Sequence, residues 1–162
     1  MKSALQSWIR GAAGAAVFAT TAGGALAQDF HQNPTYGMIQ LRSGFTPDPF
    51  QTNLQSGGST DAAQSIGGGC TGWVATAPDY RLNYTPGSLP LIISVNSDQD
   101  TTLVINGPDG KWYCDDDGGQ KGLNPAVRFE HPAAGQYDIW VGTYGSGQLF
   151  QSTLFISELT SQ

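Results

Sequence analysis

Apolar and polar positions alternate at period two along most of the chain beyond residue 36. Alternation of this kind puts one face of an extended segment inward and the other outward. Segments 37–41, 50–54, 70–76, 80–84, 89–96, 101–105, 111–114, 126–130, 137–143 and 151–158 read as strands. They are short and rich in β-branched and aromatic residues, with turn signals between them. Leu91-Ile92-Ile93-Ser94-Val95 is almost continuously apolar, which predicts a central strand. Asn106-Gly107-Pro108-Asp109-Gly110 is a strong turn between two hairpin strands. Only residues 60–66 have room for a helical turn or two. The pattern predicts an all-β fold, an antiparallel β-sandwich of jelly-roll type in a single domain. Residues 31–68 either add strands to that sandwich or wrap it as a long arm.

The first 27 residues break the pattern. Lys2 and Arg10 precede a charge-free run of small and apolar residues, and Ala25-Leu26-Ala27 fits a small-x-small cleavage site. This segment reads as a cleaved signal peptide, with Gln28 as the mature start and no membrane insertion afterwards. The product is expected to be secreted or periplasmic, with residues 28–162 as its one domain.

Loss of the leader changes the charge. Five basic and 13 acidic residues remain, a net charge of −8. That balance argues against nucleic acid as a partner and against anionic membrane. It is compatible with calcium or a cationic partner. The two cysteines, Cys70 and Cys114, are expected to pair in an oxidising compartment.

The chemistry concentrates in one loop. Cys114-Asp115-Asp116-Asp117-Gly118-Gly119 sets three carboxylates side by side, with Asp98, Asp100 and Asp109 upstream. Adjacent carboxylates repel unless water or a cation separates their charge. Calcium suits such a loop, because it takes six to eight oxygens in flexible geometry. Asp98, Asp100, Asp115 and Asp117 are the candidate calcium ligands, since alternate residues of an extended segment point the same way, and Asn124 can add an amide oxygen. A solvated turn with its charges in water is the alternative. The order of acids lacks the alternating spacing and closing glutamate of an EF-hand.

The same region carries a family resemblance. Asp100-Thr101-Thr102-Leu103-Val104-Ile105, then Gly107-Pro108-Asp109-Gly110, the acidic loop, Asn124-Pro125-Ala126-Val127-Arg128-Phe129, and Pro132-Ala133-Ala134-Gly135-Gln136-Tyr137-Asp138-Ile139-Trp140-Val141 follow one another. This succession resembles the bacterial pre-peptidase C-terminal (PPC) domain, over about residues 83–158. The resemblance implies a β-sandwich module of exported proteins. Such modules are usually non-catalytic; some relatives bind calcium, and some bind protein or polysaccharide.

Catalytic chemistry finds little support. The only histidines are His31 and His131, and no Gly-x-Ser-x-Gly nucleophile signature occurs. The chain is therefore read as a non-enzyme. Aromatic residues are the second functional signal. Phe129, Tyr137, Phe155 and one or two tryptophans are expected to pack the core. Ile139 and Trp140 alternate, so one is expected to face the core and the other outward. Trp112 and Tyr113 are adjacent, so one of them projects beside the acidic loop as a candidate ligand contact. The sequence thus reads as a calcium-binding accessory or binding module for an exported protein or polysaccharide. A structural envelope protein is the alternative, and a small secreted hydrolase or inhibitor a third.

Overall fold

A computed structural model describes residues 28–162. The leader reading concerns residues 1–27 and lies outside the described residues. In chain order the elements are β1 (Met38–Arg42), β2 (Phe50–Ser56), β3 (Thr60–Asp61), the one-turn helix α1 (Ala62–Ser65), β4 (Trp73–Val74), β5 (Tyr80–Thr85), β6 (Leu91–Asn96), β7 (Thr101–Asn106), β8 (Trp112–Asp115), β9 (Ala126–Phe129), β10 (Gly135–Thr143) and β11 (Phe150–Ser157).

Two sheets form. One has the order β2-β11-β6-β9, antiparallel throughout. In the other, β10 pairs with β5 on one side and β7 on the other, with β1 beyond β5 and β8 beyond β7. Set aside β1, β3 and β4, and number the remaining strands in chain order. One sheet then reads first, eighth, third, sixth; its partner reads second, seventh, fourth, fifth. That is the jelly-roll order the pattern predicted. β2 is its first strand, so residues upstream of the family-like segment belong to the sandwich itself. One pairing departs from expectation: β1 runs parallel to β5. The two are not joined by a hairpin, so no tight turn imposes an antiparallel direction.

Between the sheets lies the main core. Leu82, Leu91, Ile93, Val95, Leu103, Ile105, Tyr137, Ile139, Val141, Leu154 and Ile156 are almost wholly enclosed. They come from alternate positions of neighbouring strands, as period-two patterning requires. Phe129 packs against this core edge-on to Tyr137 and Tyr113. Phe155 is buried but occupies the other parity of β11, outside that cluster.

Alternation failed as a guide to Trp140. Ile139 faces the core and Trp140 faces outward, yet both have zero exposure. The reason is a second cluster on the outer face, where Ala62, Cys70, Val74, Val104 and Trp140 pack together. Residues 57–75 fold back across that face as a lid. The predicted strand 70–76 is accordingly reduced to the two residues of β4. Gly72 is a point of close approach to β7; its φ is +88°, and a Cβ there would collide with the Thr102 side chain. The Cys70–Cys114 disulfide pins this lid to β8, with Cα atoms 5.1 Å apart.

At the end of β11 the chain is fixed by buried carboxylates. Glu158 accepts from the Tyr84 hydroxyl and from the Gly44 N–H at 2.7 Å. Burial pushes its carboxyl upward, but bonds from Ser43, Tyr84 and Gly44 outweigh that and hold it below its ordinary range. Asp48 accepts from the Ser157 hydroxyl and the Glu158 N–H, tying the β1–β2 connection to the same corner. No helix among the described residues is long and apolar enough to cross a membrane.

Candidate functional site

The opposite end of β11 is built from loops. The β6–β7, β8–β9 and β10–β11 connections meet there, joined by backbone bonds from Thr101 N–H to Leu123 O (3.1 Å) and from Tyr144 N–H to Asp100 O (3.3 Å). Asp115 ends β8 and closes the acidic loop: its Oδ2 accepts from Gly118 N–H at 2.7 Å and from Ala126 N–H at 2.9 Å. Asn124 is a strut between two loops. Its Oδ1 accepts from Ser97 N–H and from the Thr101 hydroxyl, each at 2.9 Å, while its Nδ2 donates to Ser97 O. Both of these predicted ligands are therefore engaged in holding the loop together. Asn124 Oδ1 and Asp115 Oδ2 each accept from two donors, and Asp115 Oδ1 has no hydrogen-bond donor among the described residues.

Asp100 is different. Its Oδ1 is enclosed and has no hydrogen-bond partner. Its pKa is raised, by burial first and then by the negative charges of Asp117 and Asp116. Asp98 stays exposed at the rim. Asp116 was passed over by the argument from alternate residues, which holds along a strand but not past the end of β8. The ion pairs among the described residues, Arg81–Asp138, Lys111–Asp109 and Arg128–Glu130, leave these loop acids unpaired. Among the described residues no three Asp, Glu, His or Cys side chains are arranged to hold a metal ion.

Exposed apolar side chains share the loops of this end with the acids. Leu123, Tyr144 and Leu149 are 54%, 58% and 61% exposed, and all three sit on the loops of this end. Leu123 and Leu149 carried no signal in the sequence, because an apolar residue in a glycine-rich loop points equally well inward or outward.

The candidate pair Trp112 and Tyr113 lies at the other end of the sheet, at the start of β8. Tyr113 turns toward the inter-sheet core, and its hydroxyl donates to Asp109 Oδ2 at 2.8 Å. Trp112 takes the outer face, 5.4 Å from the Trp140 ring and 6.5 Å from Phe30. With Phe30, Pro108, Asn106 and Gln136, Trp112 lines an open cleft of about 410 Å³. Asp138 at its floor is neutralised: Arg81 Nε donates to one oxygen at 2.6 Å and Gln136 Nε2 to the other at 2.7 Å. Arg81 Nη2 also donates to Phe30 O and Gln32 O, which fixes the Phe30 wall. His31 and His131 are both exposed.

No family model matches this chain, and no curated protein does. One solved structure with some likeness is the periplasmic inhibitor of g-type lysozyme, PliG, of Aeromonas hydrophila. It aligns over 75% of this chain and 96% of its own, at 12% identity and a TM-score of 0.40.

Proposed function

We propose that the mature chain is an exported, non-catalytic binding module that docks an exported partner protein through its loop end. The observation that carries this reading is the grouping of Leu123, Tyr144 and Leu149 beside Asp98, Asp100, Asp116 and Asp117. Exposed apolar side chains rimmed by charge are characteristic of protein interfaces. Loops on a rigid sandwich are where binding residues commonly lie. The net charge of −8 favours a cationic partner and gives association a salt dependence. The test is capture of exported proteins on wild-type chain and on the Tyr144→Ala/Leu149→Ala double variant. A partner retained by the wild type, released by salt and lost to the variant supports the reading. Identical capture by both proteins sinks it.

Calcium belongs to the same proposal. Asp100 Oδ1 is an enclosed acceptor that lacks a donor, and a cation is one group that would satisfy it. Asp100, Asp116 and Asp117, which are not gathered around one point in this structure, would have to close on the ion, with Asp98 at the rim. A ligand at one hundred times its Kd stabilises by about 2.7 kcal/mol. Melts in millimolar calcium and in chelator should differ for the wild type and coincide for Asp100→Asn. Equal melts for the wild type would leave the loop as a solvated turn.

A polysaccharide is the second reading, favoured by the Phe30–Trp112 wall over a neutralised polar floor. Aromatic faces with amides beside them suit the apolar faces and hydroxyls of sugars. Electrophoresis through polysaccharide-containing gels distinguishes the two readings. Retardation lost in Trp112→Ala, with the loop-end variant unaffected, would move the site to the cleft.

A further inference from the structure

Gln28 is buried, at 5% exposure, beside the end of α1. Its Oε1 lies 2.8 Å from the Ser65 hydroxyl, which donates to it or to Asp61 O at the same distance. Its Nε2 is enclosed and has no acceptor among the described residues. The neighbouring backbone is firmly placed: Asp29 N–H donates to Thr76 O at 2.8 Å, and Arg81 holds the carbonyls of Phe30 and Gln32. Half of this amide is therefore satisfied and half is not. A buried donor without an acceptor is costly, and the cost is not recovered by its well-bonded oxygen. The free amine that cleavage after Ala27 would create adds a second problem, a positive charge on the same residue as this amide.

One reaction removes both defects. We infer that Gln28, once exposed as the amino terminus, is a cyclisation site and becomes 5-oxoproline. The inference rests on the reading that the leader is removed after Ala27. The α-amine nitrogen attacks the side-chain Cδ. The N–Cδ bond forms, the Cδ–Nε2 bond breaks, and a proton from the amine leaves with Nε2 as ammonia. No oxidant or reductant is involved. The partnerless Nε2 departs and the terminal charge disappears. The closed ring also ends the chain without a group that aminopeptidases can engage, on a segment that forms one wall of the aromatic cleft.

The test is the intact mass of the full chain exported and processed by its host, together with amino-terminal sequencing before and after pyroglutamyl aminopeptidase on unfolded protein. The expected result is a mass for residues 28–162 with the disulfide closed, lower by one ammonia, and a terminus that sequences only after the enzyme. A chain that begins at Gln28 with a free amine and full mass, even after long storage, overturns the inference and leaves the leader reading standing. A chain that begins elsewhere overturns both.

Discussion

The Cys70→Ser/Cys114→Ser protein is expected to lose about 4 kcal/mol of stability, the chain-entropy value for a loop of this length. The bridge spans 44 residues and closes the lid onto β8. It encloses β4, β5, β6 and β7, strands of both sheets, so its loss frees that whole segment in the unfolded chain. A local effect should accompany the global one. The second core cluster is small, and Cys70 and Cys114 are part of it. Without the bridge the lid is held by Ala62, Ile66, Val74 and a few backbone bonds, among them Gly57 N–H to Val141 O at 2.8 Å. Trp140 then gains access to water. Denaturant unfolding with and without reductant measures the first effect, and acrylamide quenching of tryptophan fluorescence the second. A change of less than about 1 kcal/mol on reduction, far below the expected entropic gain, would show that the lid packs well enough unbridged.

Stability should also fall steadily as pH rises from about 4 to about 8, on account of one side chain. Asp79 is 2% exposed, and burial pushes its pKa up to about 8 against an opposing bond from Val141 N–H. Its position explains its presence. β5 leaves β10 at Ile139, and β4 takes over only at Thr143. Val141 falls in the gap. Asp79 Oδ2 accepts the Val141 N–H at 2.7 Å, and Gly57 N–H donates to Val141 O at 2.8 Å, so the side chain completes a ladder the strands leave open. A carboxyl raised in the folded state binds its proton more tightly there than when unfolded. Its contribution is fully present below the unfolded value of 3.8 and is lost as pH passes the folded value near 8. A shift of that size corresponds to roughly 5 kcal/mol over the window. Asp79→Asn keeps the acceptor for Val141 and cannot ionise. The variant should therefore match the wild type near pH 4 and exceed it progressively towards pH 8. Glu158, held low, acts in the opposite sense and loses its contribution as pH falls through its depressed value, so the difference between the two proteins isolates Asp79. Parallel stability curves for the two proteins across this range would refute the assignment.

Much of the fold was legible in the chain. The alternation that marked residues 80–84 is a direct imprint of a pleated strand with one face buried, and this segment became β5, while 101–105 and 126–130 became β7 and β9. The continuous apolar run became β6, in the interior of its sheet. The disulfide followed from cysteine count and compartment. The loop end was legible only in part. Its carboxylates were conspicuous, but their individual roles depended on which backbone N–H groups lay within reach. Asp115 and Asn124 met donors, whereas Asp100 met two other acids.

The sequence by itself therefore determined the strand pattern, the jelly-roll class, the bridge between Cys70 and Cys114, and the place along the chain where charge concentrates. Each is a local property, set by side-chain period, turn residues or composition. Tertiary structure decided what no local rule contains. It laid residues 57–75 over the outer face and so buried Trp140. It left a gap in the β10 ladder and filled it with Asp79. It sent Trp112 outward to the cleft and Tyr113 inward, and brought Leu123, Tyr144 and Leu149 to the same loop end as the acids from positions distant in sequence. Period-two patterning fixes which face of a strand a residue occupies; only the packing of other segments fixes whether that face meets water.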